Sequence, residues 1–216
     1  LADLKALKGK LTPAFESYRK MYTEYYEKCK HPNSPAIRDA NPVVILYPGV
    51  GMFTFGKDKQ TARVASEFYI NAINVMKGAE AISEYTSLPR QEAFNIEYWL
   101  LEEAKLQRMP KPKALSGKVA LVTGSGGGIG KAIAKKFAEE GACVILSDND
   151  AGRLKEAEAD FQKMFGKDTF TTALLDVTNA KQIEESMKTA ALAFGGVDIV
   201  VNNAGIARDQ LVLRMK

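Results

Sequence analysis

Thr123, Gly124, Gly128 and Gly130 stand at the spacing T-G-x-x-x-G-x-G, between a short apolar run and a helical pattern. Glycines so placed have separate uses. Gly124 lets a chain turn sharply off a strand, Gly128 leaves room for a diphosphate to approach the backbone, and Gly130 permits close helix–strand packing. The unpaired N–H groups and positive end of the helix that follows then favour an anion. On its own the loop is weak evidence, because GSGGG (residues 124–128) also reads as a flexible connector. Asp148 adds the weight. It ends the next apolar run eighteen residues after Gly130, close to the roughly 20 at which an acid accepts a hydrogen bond from an adenosine ribose 2′-OH. Its charge opposes a 2′-phosphate, and none of Ser125, Gly126 or Gly127 is basic. The expected cofactor is therefore NAD, with NADP second.

Such residues need a sheet to hold them. Val119–Thr123 (VALVT) and Cys143–Asp148 (CVILSD) are the unbroken apolar runs of strands buried on both faces. Phe170–Asp176 reads as a third strand, and Val197–Gly205 contains a fourth. Helical patterns lie between them: residues 131–140, with Ile133, Ala134, Phe137 and Ala138 as one stripe, then 154–164 and 180–193. Alternation of this kind predicts a parallel α/β sheet with right-handed crossovers.

In this order, TGSGGGIG (Thr123–Gly130), Asp148, Asp176-Val177 and NNAG (Asn202–Gly205) resemble the short-chain dehydrogenase/reductase family over about Ser116–Lys216. The resemblance implies a Rossmann-like, doubly wound parallel sheet, here about four strands of it. It places Gly124, Gly126, Gly127 and Ile129 along a bound diphosphate, and Asp176 and Val177 beside the adenine. Asn203, Ala204 and Gly205 then approach the adenosine-side ribose and the nicotinamide half. A small-molecule alcohol or aldehyde is the implied substrate. The family's Tyr-x-x-x-Lys pair, with its Ser and Asn, falls downstream of NNAG, and this chain stops eleven residues after Gly205. Tyr26 and Lys30 have the spacing but precede the glycine loop on an aromatic helix, so no catalytic residue is assigned. The expectation is a cofactor-binding half without turnover by itself.

Before the glycine loop the pattern differs. Thr12-Pro13 reads as a helix start, and Phe15, Tyr18, Tyr22, Tyr25 or Tyr26, and Cys29 follow at helical spacing, a core or inter-subunit face. Val43–Gly56 reads as two short strands around a Pro-Gly turn, followed by a helix from about Asp58 that Gly78 can end. Pro89 opens another helix reaching roughly Arg108, and MPKPKALSGK then breaks the periodicity as a linker. The expected domains are residues 1–108, a linker at 109–116, and residues 117–216. Residues 41–113 resemble the domain junction of bifunctional rhamnulose-1-phosphate aldolase/alcohol dehydrogenases, which act on a ketose 1-phosphate and then on lactaldehyde. By that resemblance the first part is the mostly helical tail of a class II, zinc-dependent aldolase-like α/β domain. There is no His-x-His pair and Pro48-Gly49 stands where related aldolases have His-Gly, so no metal residue is assigned and zinc is left to the aldolase body.

Composition bounds the rest. The chain has 216 residues, 46% hydrophobic and 26% charged, which suits a packed core rather than disorder. The first residue is Leu1 and no secretory pattern follows, which suggests a piece of something longer. No run reaches the roughly 18–20 apolar residues of a membrane span. The net charge of +4 lies wholly before Gly117, residues 117–216 carrying 13 basic and 13 acidic side chains, too little excess for nucleic acid. Cys29 and Cys143 form no C-x-x-C motif and His31 is the single histidine, beside Pro32 in a loop. A reducing, cytoplasmic setting and a homo-oligomer are expected. The competing reading is a non-catalytic nucleotide-binding or oligomerisation module built on the aromatic helices.

Overall fold

Helix formation begins earlier than Thr12-Pro13 signals. The computed structural model describes residues 4–206, and in it α1 runs Leu4–Cys29 with Pro13 inside. Leu4, Lys5, Ala6, Leu7 and Lys8 are strong helix formers. The proline removes one i to i−4 bond, and the carbonyl left without that donor belongs to water-exposed Gly9. The two strands do flank the Pro-Gly turn: β1 (Val44–Tyr47) pairs antiparallel with β2 (Gly51–Thr54). Val50 N–H donates to Tyr47 O at 3.1 Å, and Gly49 supplies the positive φ of 77°.

Two further helix boundaries depart from expectation. The helix α2 spans Lys59–Ile82 and passes through Gly78. A single interior glycine costs only about 1 kcal/mol relative to alanine, and Lys77, Ala79, Glu80 and Ala81 around it favour the helix. The helix after Pro89 is two, α3 (Arg90–Glu97) and α4 (Leu100–Gln107), because Trp99 adopts an extended ψ of 127°. By compactness the chain divides into two units. One takes the chain up to Phe55 together with Ala62–Lys111; the other takes Gly56–Thr61 and the chain from Pro112 onward.

In the first unit α1 packs on α3 through Tyr26, Cys29, Phe94 and Tyr98, all buried, with the Phe94 and Tyr98 rings stacked at 4.5 Å. Above them Tyr22 Oη donates to Glu97 Oε1 at 2.5 Å and lies 2.7 Å from Tyr98 Oη, while Tyr25 Oη donates to Glu97 Oε2 at 3.2 Å. Burial, and then the Glu97 carboxylate, hold the Tyr22 and Tyr25 hydroxyls protonated well above the ordinary tyrosine range. Of the aromatic stripe, Tyr26 and Cys29 are thus core, while Tyr22 and Tyr25 form a hydrogen-bonded rim. Tyr22→Phe is expected to lower the unfolding free energy by about 1.5–3 kcal/mol, the worth of a hydrogen bond to a charged acceptor. Denaturant unfolding checks this, and an unchanged midpoint would count against the rim's role.

In the second unit β3 (Val119–Thr123), β4 (Cys143–Asp148), β5 (Phe170–Leu174) and β6 (Ile199–Val201) form one parallel sheet in the order β5-β4-β3-β6. The helices α5 (Gly128–Glu139) and α6 (Ala151–Phe165) cover one face, where Ala134, Ala138, Leu154, Ala157 and Phe161 meet Val122, Val144 and Leu146. The helix α7 (Ala180–Phe194) covers the other, with Ala190 and Phe194 on Leu121, Cys143 and Ile145. Burial of both faces is why β3 and β4 are apolar at every position up to their tips. Asp150 and Asn179 cap α6 and α7 through their side chains. Both cysteines are free and buried, and burial pushes the Cys143 thiol up.

Candidate functional site

The chain reverses its winding at β3: β4 and β5 lie on one side of it and β6 on the other. At such a switch point two loops leave the carboxyl ends of neighbouring strands in opposite directions, opening a crevice. Here the loops are Gly124–Gly127 and Asn202–Gly205. Thr123 ties them together. Its Oγ1 donates to Val201 O at 3.1 Å and accepts from the Asn203 and Ala204 amides at 2.9 Å each. Asn203 Nδ2 returns bonds to Thr123 O at 2.9 Å and Gly124 O at 3.4 Å. The NNAG turn is therefore fastened to the start of the glycine loop before any ligand arrives.

Each glycine has its own local reason. Gly124 sits at φ 67°, in the left-handed region. Gly130 lies so close under the loop that a Cβ there would run into Gly124 O and come within 2.6 Å of Asn203 Nδ2. Gly127 and Gly128 have nothing within 4 Å of an added Cβ, so the space above them is open. Among the described residues, the amides of Gly127, Gly128, Ile129 and Gly130 have no protein acceptor. They are the N-terminal donors of α5, the feature that suits a diphosphate.

The Gly126 amide, expected along that diphosphate, is engaged otherwise. It donates to Asp148 Oδ2 at 3.0 Å, while Asp148 Oδ1 accepts from the Asp150 amide at 3.0 Å. A carboxylate on a residue only 7% exposed needs such donors. Ser125 is likewise locked, its amide donating to Ser147 O at 2.8 Å. Asp148 still forms part of a cleft of about 540 Å³, with Gly124, Asp176, Val177, Asn203, Ala204 and Gly205 also on its walls. Gly128 instead borders a groove of about 440 Å³ with Lys131 and Asp160. Ile129 is 75% exposed. Asp176 Oδ1 accepts from Thr178 N at 2.9 Å and Thr178 Oγ1 at 2.7 Å, which holds its carboxyl below the usual range and ionised at neutral pH.

Besides the apolar Leu175 and Ile206, three polar cleft residues carried no assignment in the sequence. Thr178 and Asn149 immediately follow motif residues, and Arg153 stands five positions after Asp148. No described group of three or more His, Cys, Asp or Glu side chains is arranged to hold a metal, and no described helix is long and apolar enough to cross a membrane.

Comparison with known proteins bears on both units. Residues 118–216 match the family of short chain dehydrogenases. Over these residues the second unit, a Rossmann-like sheet with helices on both faces, is similar to the short chain dehydrogenases. Residues 1–106 match the second domain of class II aldolases. An uncharacterized oxidoreductase of Bacillus subtilis, YuxG, is 37% identical over 205 residues, 95% of this chain and 30% of that protein. The 3-oxoacyl-[acyl-carrier-protein] reductase FabG of Vibrio cholerae is 50% identical over 102 residues, 47% of this chain and 40% of that protein. The L-sorbose reductase of Gluconobacter frateurii, solved with NADPH and L-sorbose, is 36% identical over 49% of this chain and 40% of that one, with a TM-score of 0.44. The chain thus spans 30–40% of the length of these relatives. The cleft walls, the four unengaged amides and the strand-tip acid all belong to elements of the second unit.

Proposed function

We propose that the short-chain dehydrogenase domain binds NAD across the switch point. The intact enzyme would use it on a small alcohol or aldehyde such as lactaldehyde, next to a zinc-dependent aldolase that cleaves a ketose 1-phosphate. The supporting observation is that Asp148, on the wall of the cleft, and the unengaged amides of Gly127–Gly130 at the head of α5 are joined through the glycine loop, where the Gly126 amide bonds to Asp148 Oδ2. These residues fit the cofactor: open space over Gly127 and Gly128 admits phosphates, and Asp148 stands where a ribose hydroxyl can donate to it. A bound nicotinamide would carry the hydride, taking it from the substrate carbon as NAD becomes NADH or returning it in the reverse direction. The chain's part is to bind and orient: α5 holds the diphosphate, Val177 lines the adenine end, and the NNAG turn sets the wall toward the reacting half.

Residues 117–216 contain no tyrosine, so no Tyr-x-x-x-Lys pair accompanies the cofactor site. We take the domains to be residues 1–108 and 117–216 joined at 109–116, in a cytoplasmic homo-oligomer. Calorimetric titration of the 216-residue chain with NAD is expected to show saturable binding, without NADH formation from lactaldehyde. A folded chain that binds neither NAD nor NADP would overturn the proposal and favour an assembly module; turnover by the purified chain would overturn the division of labour.

A further inference from the structure

The glycine loop has no basic residue of its own, yet the fold brings one to it. Arg153 lies in the first turn of α6, where the Asp150 cap accepts from the Gly152 and Arg153 amides at 2.8 and 3.1 Å. That cap seats Arg153 against the loop. A Cβ added to Gly126 would meet Arg153 Cβ at 2.9 Å and Asp148 Oδ2 at 2.8 Å. The arginine stem therefore starts beside the very carboxylate that ends β4, and Arg153 shares the cleft wall with Asp148 and Asn149. Its guanidinium is only loosely engaged: Nε stands 3.7 Å from Asp150 Oδ2 and the side chain is 69% exposed. An exposed pair of that length is weak and easily exchanged.

We propose that Arg153 is a specificity-determining residue of the cofactor site, which lets the Asp148 end of the cleft accept a ribose bearing a 2′-phosphate as well as a free 2′-hydroxyl. This rests on the dinucleotide reading of the cleft. A 2′-phosphate placed at the tip of β4 faces one carboxylate, and that carboxylate already accepts from two backbone amides. It also faces a guanidinium whose planar fork suits phosphate oxygens. Discrimination is then set by the balance of Asp148 against Arg153 rather than by Asp148 alone. Releasing Asp150 Oδ2 leaves the cap intact, because both α6 amides bond to Asp150 Oδ1.

Calorimetric Kd values for NAD and NADP, with 5′-AMP and 2′-phospho-AMP as minimal probes, test this on the whole chain. In the unaltered chain NADP is expected to bind within about tenfold of NAD, and Arg153→Ala to raise the NADP-to-NAD Kd ratio by about tenfold, the loss of one charge-assisted contact. Arg153→Lys should recover part of the ratio and added salt should raise it in the unaltered chain. A ratio unmoved by Arg153→Ala overturns the proposal, and so does a parallel loss of both affinities, which would mark a structural role. Should the alanine variant fail to fold, Arg153→Gln keeps the stem, and the salt dependence needs no variant. Binding of neither dinucleotide overturns the parent reading too, whereas NAD binding with an Arg153-insensitive ratio overturns this one alone.

Discussion

Gly130→Ala is expected to lower the unfolding free energy by about 3 kcal/mol, at the upper end of overpacking costs, and to weaken NAD binding by more than tenfold. The added methyl would collide with Gly124 O and lie 2.6 Å from Asn203 Nδ2. Neither obstacle can swing aside. The first is backbone, held in a left-handed turn at φ 67°, and the second is committed to the Thr123 and Gly124 carbonyls. The helix α5 must therefore lift from β3, which opens the contact of Ala134 and Ala138 with Val122 and moves the amides offered to a diphosphate. Gly127→Ala is the control. Gly127 is extended at φ −168° with nothing near its missing Cβ, so its stability should change by no more than about 0.5 kcal/mol. Equal losses for the two variants, by chemical denaturation, would refute the packing account of Gly130.

This contrast bears on what could be read from the sequence. The T-G-x-x-x-G-x-G spacing identified a tight turn at Gly124 and close packing at Gly130 because each rests on local backbone geometry. The strands β3 and β4 were legible for a related reason: a run of VALVT or CVILSD has no exposed side to hide, and only a doubly covered sheet explains it. Arg153 was not legible, since nothing in its spacing says that α6 begins by folding back over the loop. The acceptor of the Gly126 amide is hidden from the sequence on the same ground, because it lies on the next strand and only strand pairing brings it there.

The first unit shows the opposite balance. Pro13, Gly78 and Pro89 are strong local signals, yet α1 and α2 run through the first two. Each breaker costs a bounded amount, one hydrogen bond or about 1 kcal/mol, and a long run of good helix formers outweighs it. Tyr98-Trp99 carries no breaker and nonetheless ends a helix. There the deciding influence is tertiary: Tyr98 is buried against Phe94 and Tyr26, and its hydroxyl lies within hydrogen-bonding distance of Tyr22 Oη and accepts from the Arg38 amide. Single-residue punctuation cannot report a partner 60 residues away.

Asp148→Ala is expected to produce the second large effect, because the acid has a duty to the loop as well as to a ribose. Removing it strips the acceptor from the Gly126 and Asp150 amides, both bonded at 3.0 Å at a residue 7% exposed. The buried Gly126 donor left without a partner costs about 1–3 kcal/mol, and the Asp150 amide, on an exposed residue, adds less because water can reach it. NAD affinity should fall by about tenfold or more, as the ribose contact goes and the loop loosens. Asp148→Asn separates the two duties. It keeps one carbonyl oxygen for an amide and removes the charge, so it should cost less stability than alanine and lower the NADP-to-NAD Kd ratio. The two duties do not compete. Each carboxylate oxygen has two acceptor sites, and one amide occupies only one of them. The loop bonds thus aim the remaining lone pairs, and an ordered anion meets the ribose hydroxyl without having to be arranged on binding. If the alanine variant, measured below its lowered unfolding temperature, still binds NAD as tightly as the unaltered chain, Asp148 is a clamp for the glycine loop and nothing more.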